Sequence, residues 1–516
     1  MAGMKKLFFI LSVTLIFITG CKTSDKIKLP DEAEVLHQNE NNLTDLIIYD
    51  IFSPPVASRI YAYTSLAAHE AMRHEDEKEA SIVAKLKEFS PMPQPDKNKK
   101  YNYTLAASKA FYDVMRQMTF SKDTITKFEE QTYAPFKLAL EKEVYDSSVA
   151  FGEAIAKKIM QRAAADNYKQ TRAMEKFYGS NDDGKWRPTS PDYLDGVEPY
   201  WMKLKPFVLD SCSQFDPGPP PAFDKNINSM FFKMNKEVFD TGKVLTQEQK
   251  DIARFWDDNP FVMEHVGHVQ MATKKQTPGG HWMGIATIAC RQGKAGAVKS
   301  SRTYALTSLA LFEAFLSVFD TKYRYVYIRP ITAINNLVDD KWDSYLQTPP
   351  FPEYTSGHST ITGSAATVLT YLYGNNFTFI DTSNRRYINM ERKFSSFIQA
   401  SDECSVSRFY GGIHYKISVD KGAAAGKKIG QYIIDYYIAT SPDSLTQPVH
   451  NMAVTVNLPG FQAIHSSFKL ASPTSSYVKI DIGTHQLLLA DLFTQYLYRF
   501  DSKLNLLDSV IQKVQP

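Results

Sequence analysis

Ser356-Gly357-His358-Ser359-Thr360-Ile361-Thr362-Gly363-Ser364-Ala365-Ala366-Thr367-Val368-Leu369-Thr370-Tyr371-Leu372-Tyr373 is the stretch on which the reading of the fold turns. It predicts a helix from Ser359 to Tyr373, ended by Gly374-Asn375-Asn376. Free N–H groups at a helix start point at any bound anion, and the helix dipole favours negative charge there. Gly357 lets the backbone come close, Ser356 offers a hydroxyl, and His358 carries a ring that titrates near neutrality. Taken alone, the stretch is also explained by a capped helix with a solvated histidine.

Two further stretches change that reading. Lys322 and Arg329 stand seven residues apart, and Pro330 restricts Arg329 to extended backbone. Arginine presents a planar fork that matches two oxygens of a tetrahedral anion, and lysine presents a compact charge. Downstream, Ser407-Arg408 and His414 flank Phe409-Tyr410-Gly411-Gly412-Ile413. The Gly-Gly pair breaks the helix and turns His414 back toward Arg408. Together the segments supply three cations, two histidines and a helix start. Such a set holds an oxyanion and does chemistry on it.

The rest of the chain sets the frame. Its 516 residues allow a large core, and 43% hydrophobic with 22% charged residues is ordinary for a globular protein. The net charge of +3 gives no reason to expect a nucleic-acid partner. At the N-terminus Lys5-Lys6 precede an apolar run from Leu7 to Ile18, then Ile18-Thr19-Gly20-Cys21. Residues 1–20 read as a signal peptide, and small residues before a cysteine resemble a bacterial lipobox, so Cys21 is the expected lipidation site. No later apolar run is expected to reach the ~18–20 residues of a membrane span. These features predict a protein of the bacterial cell envelope, facing periplasm or exterior and touching the membrane through its lipid anchor only. Cys212, Cys290 and Cys404 remain, enough for one intrachain disulfide at most.

Residues 21–40 are polar and read as a tether. Residues 41–245 read as an N-terminal helical region with Pro/Gly-rich loops, including one long helix over 122–164 and an ordered loop from Tyr178 to Asp224. Residues 246–440 read as the catalytic helical region. It opens at Thr246, an N-cap followed by Gln249, and includes a helix over roughly Ile388 to Arg408. After a linker at Ser441 to Pro448, residues 445–516 read as a β-rich appendage with strands near Ala453–Leu458, Tyr477–Ile482 and Tyr496–Phe500. In Glu264-His265-Val266-Gly267-His268, two histidines three apart fit one helix face, but no third metal ligand is evident.

The order and spacing of the three anion-binding stretches resemble the type 2 phosphatidic acid phosphatase and vanadium haloperoxidase superfamily. Lys322, Arg329, Pro330, Ser356, Gly357, His358, Ser407, Arg408 and His414 all match its signature. Phe351-Pro352-Glu353-Tyr354, Phe255-Trp256-Asp257-Asp258, Gly280-His281-Trp282, Trp186-Arg187-Pro188-Thr189 and Ser53-Pro54-Pro55-Val56-Ala57-Ser58-Arg59 look like the haloperoxidase branch. The resemblance covers residues 40–440 and leaves out the appendage. It implies an all-α fold of helical bundles with the small β-rich appendage added. Two positions depart from the pattern. Thr355 replaces a common proline, with little consequence expected. Ser418 stands where an aspartate usually follows the third-stretch histidine, which leaves open what orients the ring N–H of His414.

The resemblance also implies chemistry. Lys322, Arg329, Arg408, Ser356 and the Gly357 N–H would hold the oxyanion. In a haloperoxidase, vanadate would be the cofactor with His414 as its ligand, and halide would be oxidised by hydrogen peroxide to hypohalous acid. His358 would move protons, Lys322 would polarise the activated oxidant, and Phe351 would line the halide side. Asp258 is the expected carboxylate partner of Arg408. In a phosphatase of the same superfamily, needing no cofactor, His414 would attack a phosphomonoester and form a phosphohistidine. A third reading, a non-catalytic lipoprotein binding a phosphorylated glycan or lipid, needs neither histidine. The expected partner is a small-molecule substrate, with a homo-oligomer as a further option.

Overall fold

The computed structural model describes residues 28–439, apart from 267, 268 and 273, together with six strands between residues 450 and 511. The leader and Cys21 lie outside the described residues. The chain divides between Tyr437 and Ile438 into two compact units.

The first unit is an all-α body whose helices begin where side chains can satisfy the free N–H groups of a first turn. Asp31 caps Glu32–Tyr49, Asn102 caps Tyr103–Met118 and Thr277 caps Pro278–Gln292. Thr246 and Gln249 form the expected reciprocal capping box at Gln247–Phe255. Pro54 and Pro55 fall in the first turn of Pro54–Met72, where a missing N–H costs nothing.

At the centre runs the helix Ala297–Tyr325, packed against Pro54–Met72, Gly357–Tyr373 and Pro278–Gln292. It amends one expectation, being long and apolar enough to cross a membrane by length and composition. However, 94% of its most apolar window is buried inside the protein, as befits a core helix. The helix Lys416–Ala439 lies flat on Gly357–Tyr373 because its glycines allow it. A Cβ on Gly430 would come within 2.6 Å of the Ser364 carbonyl oxygen, and one on Gly422 within 2.9 Å of that of Ser356. Gly426 approaches the Thr360 carbonyl more closely still. That contact brings the chain after His414 against the helix that starts at Gly357.

Four sequence expectations need correction. The tether does not extend to residue 40, since a helix begins at Glu32. Its polar residues are buried in pairs: His37 Nδ1 lies 2.6 Å from the Tyr304 hydroxyl, and Asn39 donates to Ser108 Oγ at 3.0 Å. The helix expected over 122–164 is two, Lys122–Ala139 and Lys142–Ala164, parted by extended backbone at Leu140 and Glu141. Only the second part of the helix expected over Ile388–Arg408 forms, as Phe397–Tyr410 capped by Ser396; before it Arg392–Phe394 pairs as a strand with Phe379–Asp381. Glu264 and His265 lie on a strand, Met263–Val266, that pairs antiparallel with Val269–Ala272. The reading of two histidines on one helix face therefore fails, and His268 lies outside the described residues.

The segment Tyr178–Asp224 is the ordered loop that its prolines and glycines predicted. Buried Trp186 and Trp201 anchor it. The Glu313 carboxylate on the central helix accepts the N–H groups of Phe207, Val208 and Leu209. Trp186 N–H donates to Val326 O at 2.8 Å and Val197 N–H to Pro350 O at 2.9 Å, which sets the loop beside the site segments.

The second unit contains β structure, with six strands where three were expected. His450–Val456 pairs with Ile464–Leu470. Tyr477–Asp481, Gln486–Asp491, Tyr496–Phe500 and Leu506–Ile511 form an antiparallel meander. Asp481 pairs with Gln486, and the turn suggested at Gly483-Thr484 lies outside the described residues. The linker lies outside the described residues.

Candidate active site

Lys322 sits in the last turn of Ala297–Tyr325, which Val326 ends in a left-handed conformation. Arg329 then adopts the extended backbone that Pro330 imposes and caps the helix Pro330–Leu337. Both side chains are fully buried. Main-chain oxygens of one strap hold both. Lys322 Nζ donates to Pro352 O and Glu353 O at 3.0 Å and to Thr355 O at 2.5 Å. Arg329 Nε donates to Phe351 O at 2.9 Å, and its Nη1 to Ile413 O at 2.8 Å. The Phe351 ring centre lies 5.1 Å from Lys322 Nζ and 5.2 Å from Arg329 Cζ. Burial and the neighbouring Arg329 push the Lys322 ammonium well below its usual range, and burial lowers Arg329 to about 10. Two cations packed without counter-ions of equal number make a site that favours an added anion.

Ser356 caps Gly357–Tyr373, its oxygen accepting from Ser359 N–H at 3.3 Å and Ser359 Oγ at 2.8 Å, so its own hydroxyl hydrogen remains to donate. A Cβ on Gly357 would lie 3.8 Å from Lys322 Cε, so the first turn of this helix stands over the lysine. Arg408, in the last turn of Phe397–Tyr410, is fully buried, with Nε on Ser407 Oγ at 3.0 Å and Nη2 on Ala253 O at 3.3 Å. Gly412, with φ of +73°, makes the turn to His414.

The two histidines share one environment. Burial holds His414 well below its usual pKa, helped by Arg329, Lys322, Arg408 and His358. Burial lowers His358 likewise, helped by Arg408, His281, Lys322 and Arg329. Each ring therefore feels the same three cations. Arg329 Nη1 stands 3.2 Å from His414 Nε2. A guanidinium only donates, so Nε2 presents its lone pair and the ring proton is on Nδ1.

That proton answers the question left by Ser418. His414 Nδ1 lies 2.8 Å from Glu353 Oε1, which also accepts Tyr415 N–H at 3.0 Å, while Glu353 Oε2 accepts the Ser418 hydroxyl at 2.7 Å. Burial pushes the Glu353 carboxyl up to about 7, against the pull of Arg329, Ser418, Lys322 and Tyr415. In the sequence Glu353 stands out only as part of Phe351-Pro352-Glu353-Tyr354. The available signal was an acid five residues before His358 in a chain lacking one at 418.

Asp258 is not the partner of Arg408. Its Oδ2 accepts from His281 Nδ1 at 2.8 Å, and Asp381 Oδ2 lies 2.9 Å from His281 Nε2. With a carboxylate at each nitrogen the ring is an imidazolium, its pKa raised to about 10 by Asp258 and Asp381 against the cost of burial. Trp256 stacks on it, ring centres 4.5 Å apart.

Two buried polar atoms in this set have no partner: His358 Nε2 and Arg408 Nη1. Unpaired buried donors and acceptors are costly, and a bound oxyanion would satisfy both. The donor set is cationic, with a helix N-terminus, so the residues present fit vanadate or phosphate.

Comparison with known proteins agrees. A profile of the VCPO second helical-bundle domain matches residues 302–440. The structure entitled "Crystal structure of the first bacterial vanadium dependant iodoperoxidase" is 41% identical, with a TM-score of 0.75, covering 79% of this chain and 98% of that one. A holo-type bacterial vanadium-dependent chloroperoxidase is 17% identical, with a TM-score of 0.61, covering 77% and 95%. Its apo-type counterpart is 16% identical, with a TM-score of 0.58, covering 75% and 95%; both show the shared fold. No curated protein matches by sequence search. At 41% identity over 79% of its length and with near-complete coverage of the iodoperoxidase, the chain belongs to the vanadium-dependent haloperoxidases, a family of peroxidases.

Proposed function

We propose that this protein holds vanadate through His414 Nε2 and oxidises halide, iodide first, with hydrogen peroxide. The observation that carries the reading is the unprotonated Nε2 of His414, its ring fixed by Glu353 at Nδ1 and its lone pair turned to Arg329. Iodide is chosen because the 41% identical relative is an iodoperoxidase and because iodide gives up electrons most readily among the common halides.

Bound vanadate supplies a Lewis-acid centre that activates hydrogen peroxide toward halide. The residues do the rest. Arg329, Arg408, the Ser356 hydroxyl and the Gly357 N–H bind and neutralise the oxyanion. Lys322 adds a third positive charge from the side of Phe351. His358 Nε2, unpartnered and kept neutral by burial and its cationic neighbours, takes and returns protons at that atom. Phe351 covers Lys322 and Arg329 and keeps water from the halide side.

The test is direct. Protein loaded with orthovanadate is expected to form triiodide from iodide and peroxide, with bromide slower. Phosphate release from a monoester, blocked by low vanadate and without halide oxidation, would replace this reading by the phosphatase one. We further propose anchoring in the bacterial envelope through Cys21, on the strength of the lipobox resemblance. Cys21→Ala is expected to move the protein from the membrane fraction to the soluble one.

A further inference from the structure

We propose that Glu353 is the positioning residue of this site, acting on it from two sides, and that position 418 is its equivalent: a carboxylate at either place fixes His414. The inference rests on the oxyanion-binding reading above and extends it to how the site is held in shape.

Glu353 is fully buried and extends its carboxylate and its own carbonyl to two different parts of the cage. The carboxylate accepts from His414 Nδ1 at 2.8 Å, and the carbonyl accepts from Lys322 Nζ at 3.0 Å. The residue is itself fixed at its N–H, which donates to Tyr327 O at 3.0 Å, and at Oε1 by the Tyr415 N–H. The histidine ring and the ammonium are thus referenced to one residue. A ligating imidazole needs such a partner to set its tautomer and the aim of its lone pair.

Position 418 already reaches the same cradle. Ser418 lies four residues after His414, at the start of Lys416–Ala439, and its hydroxyl touches Glu353 Oε2 at 2.7 Å. Its carbonyl accepts Ser356 N–H at 3.1 Å, which ties the same turn to the helix N-terminus of the cage. An aspartate at 418 with alanine at 353 puts a carboxylate into the volume that Glu353 vacates.

The experiment uses the full chain and three variants, Glu353→Ala, Glu353→Gln and Glu353→Ala/Ser418→Asp. Two readouts are taken. The first is the tautomer of His414 in vanadate-free protein, from ring ¹⁵N shifts assigned against His414→Gln. The second is affinity for inorganic orthovanadate and tungstate by calorimetry. The wild type is expected to show Nδ1–H with bare Nε2. Glu353→Ala is expected to lose that single tautomer and to bind oxyanions roughly 10- to 100-fold more weakly. The double variant is expected to regain both. The sign is decisive: a carboxylate acting only through its field repels an anion, so its removal would tighten binding. Unchanged or tighter binding in a folded Glu353→Ala overturns the proposal, as does a folded double variant that regains nothing. If Glu353→Ala does not fold, Glu353→Gln is read by the same sign, with a smaller loss because the amide oxygen still accepts from the ring, though without charge assistance. If the wild type binds no oxyanion, the proposed function fails, while the tautomer readout still decides the role of Glu353.

Discussion

Arg329 Nη1 points at the unprotonated Nε2 of His414 across 3.2 Å. The same guanidinium is held by Phe351 O and Ile413 O, so its fork is aimed before any anion arrives. Preorganised donors of this kind act without reorganisation cost. Arg329→Lys keeps a charge but cannot span these acceptors. Orthovanadate affinity is expected to fall by at least about tenfold, read by calorimetry, since one lost charged hydrogen bond costs about 1.5–3 kcal/mol. Affinity equal to wild type would show that charge alone suffices.

The Asp258–His281–Asp381 triad predicts a stability effect. Both ring nitrogens serve carboxylates in a fully buried setting. His281→Leu leaves two acids without their cation and is expected to cost about 3–5 kcal/mol in urea unfolding. With a folded pKa of about 10 against an ordinary 6.5, the stabilisation is complete below 6.5, shrinks as pH rises beyond it and is gone above 10. The difference between wild type and variant is therefore expected to persist at pH 8.

Glu40 predicts a pH slope of opposite origin. Burial pushes its carboxyl from 4.5 up to about 8, with only the Ser65 hydroxyl on Oε1 and no partner on Oε2. The folded chain keeps this proton over a window where the unfolded chain has released it. Its contribution is whole below 4.5 and falls away as pH climbs through 8, at up to about 1.4 kcal/mol per unit. Glu313, raised to about 7, adds to the lower part of the same decline. Above the range in which the buried histidines titrate in the unfolded chain, Tm is expected to drop from pH 7 to pH 9, and Glu40→Gln to reduce that drop. A Glu40→Gln profile that matches wild type would count against a proton on this carboxyl.

Gly426→Ala tests the helix contact beneath the site. The added methyl meets the Thr360 carbonyl oxygen, which is backbone and cannot swing aside. A loss of about 1–3 kcal/mol is expected from overpacking, read by thermal unfolding. Oxyanion affinity is expected to fall with it, because the helix that carries Ser418 shifts against the one that starts at Gly357.

The cage residues were legible in the sequence because each comes with local backbone chemistry: proline after Arg329, glycine before His358, paired glycines before His414. The structure places all of them around the same three cations. Glu353 was visible as a residue but not as a partner, since its bond to His414 spans 61 positions and no periodicity reports it. Asp258 was assigned to the wrong cation for the same reason; only the fold shows that His281 takes it. The helix at Glu32 was hidden by its own polarity. Residues such as Asn39 and Glu40 look solvated in sequence and are buried here among hydroxyl partners.

Lys322 gives all its hydrogens to the main chain of the strap at Pro352, Glu353 and Thr355. A peptide oxygen stays the same whatever side chain its residue carries. Substitutions at 352 and 355 that keep the strap's path can therefore accumulate without losing the ammonium's address. Phe351 can vary in the same way, remodelling the wall over Lys322 and Arg329 while the charge behind it stays put. The fold thus separates a fixed electrostatic frame from a replaceable lining, so the wall of the pocket can be rebuilt without moving its charges.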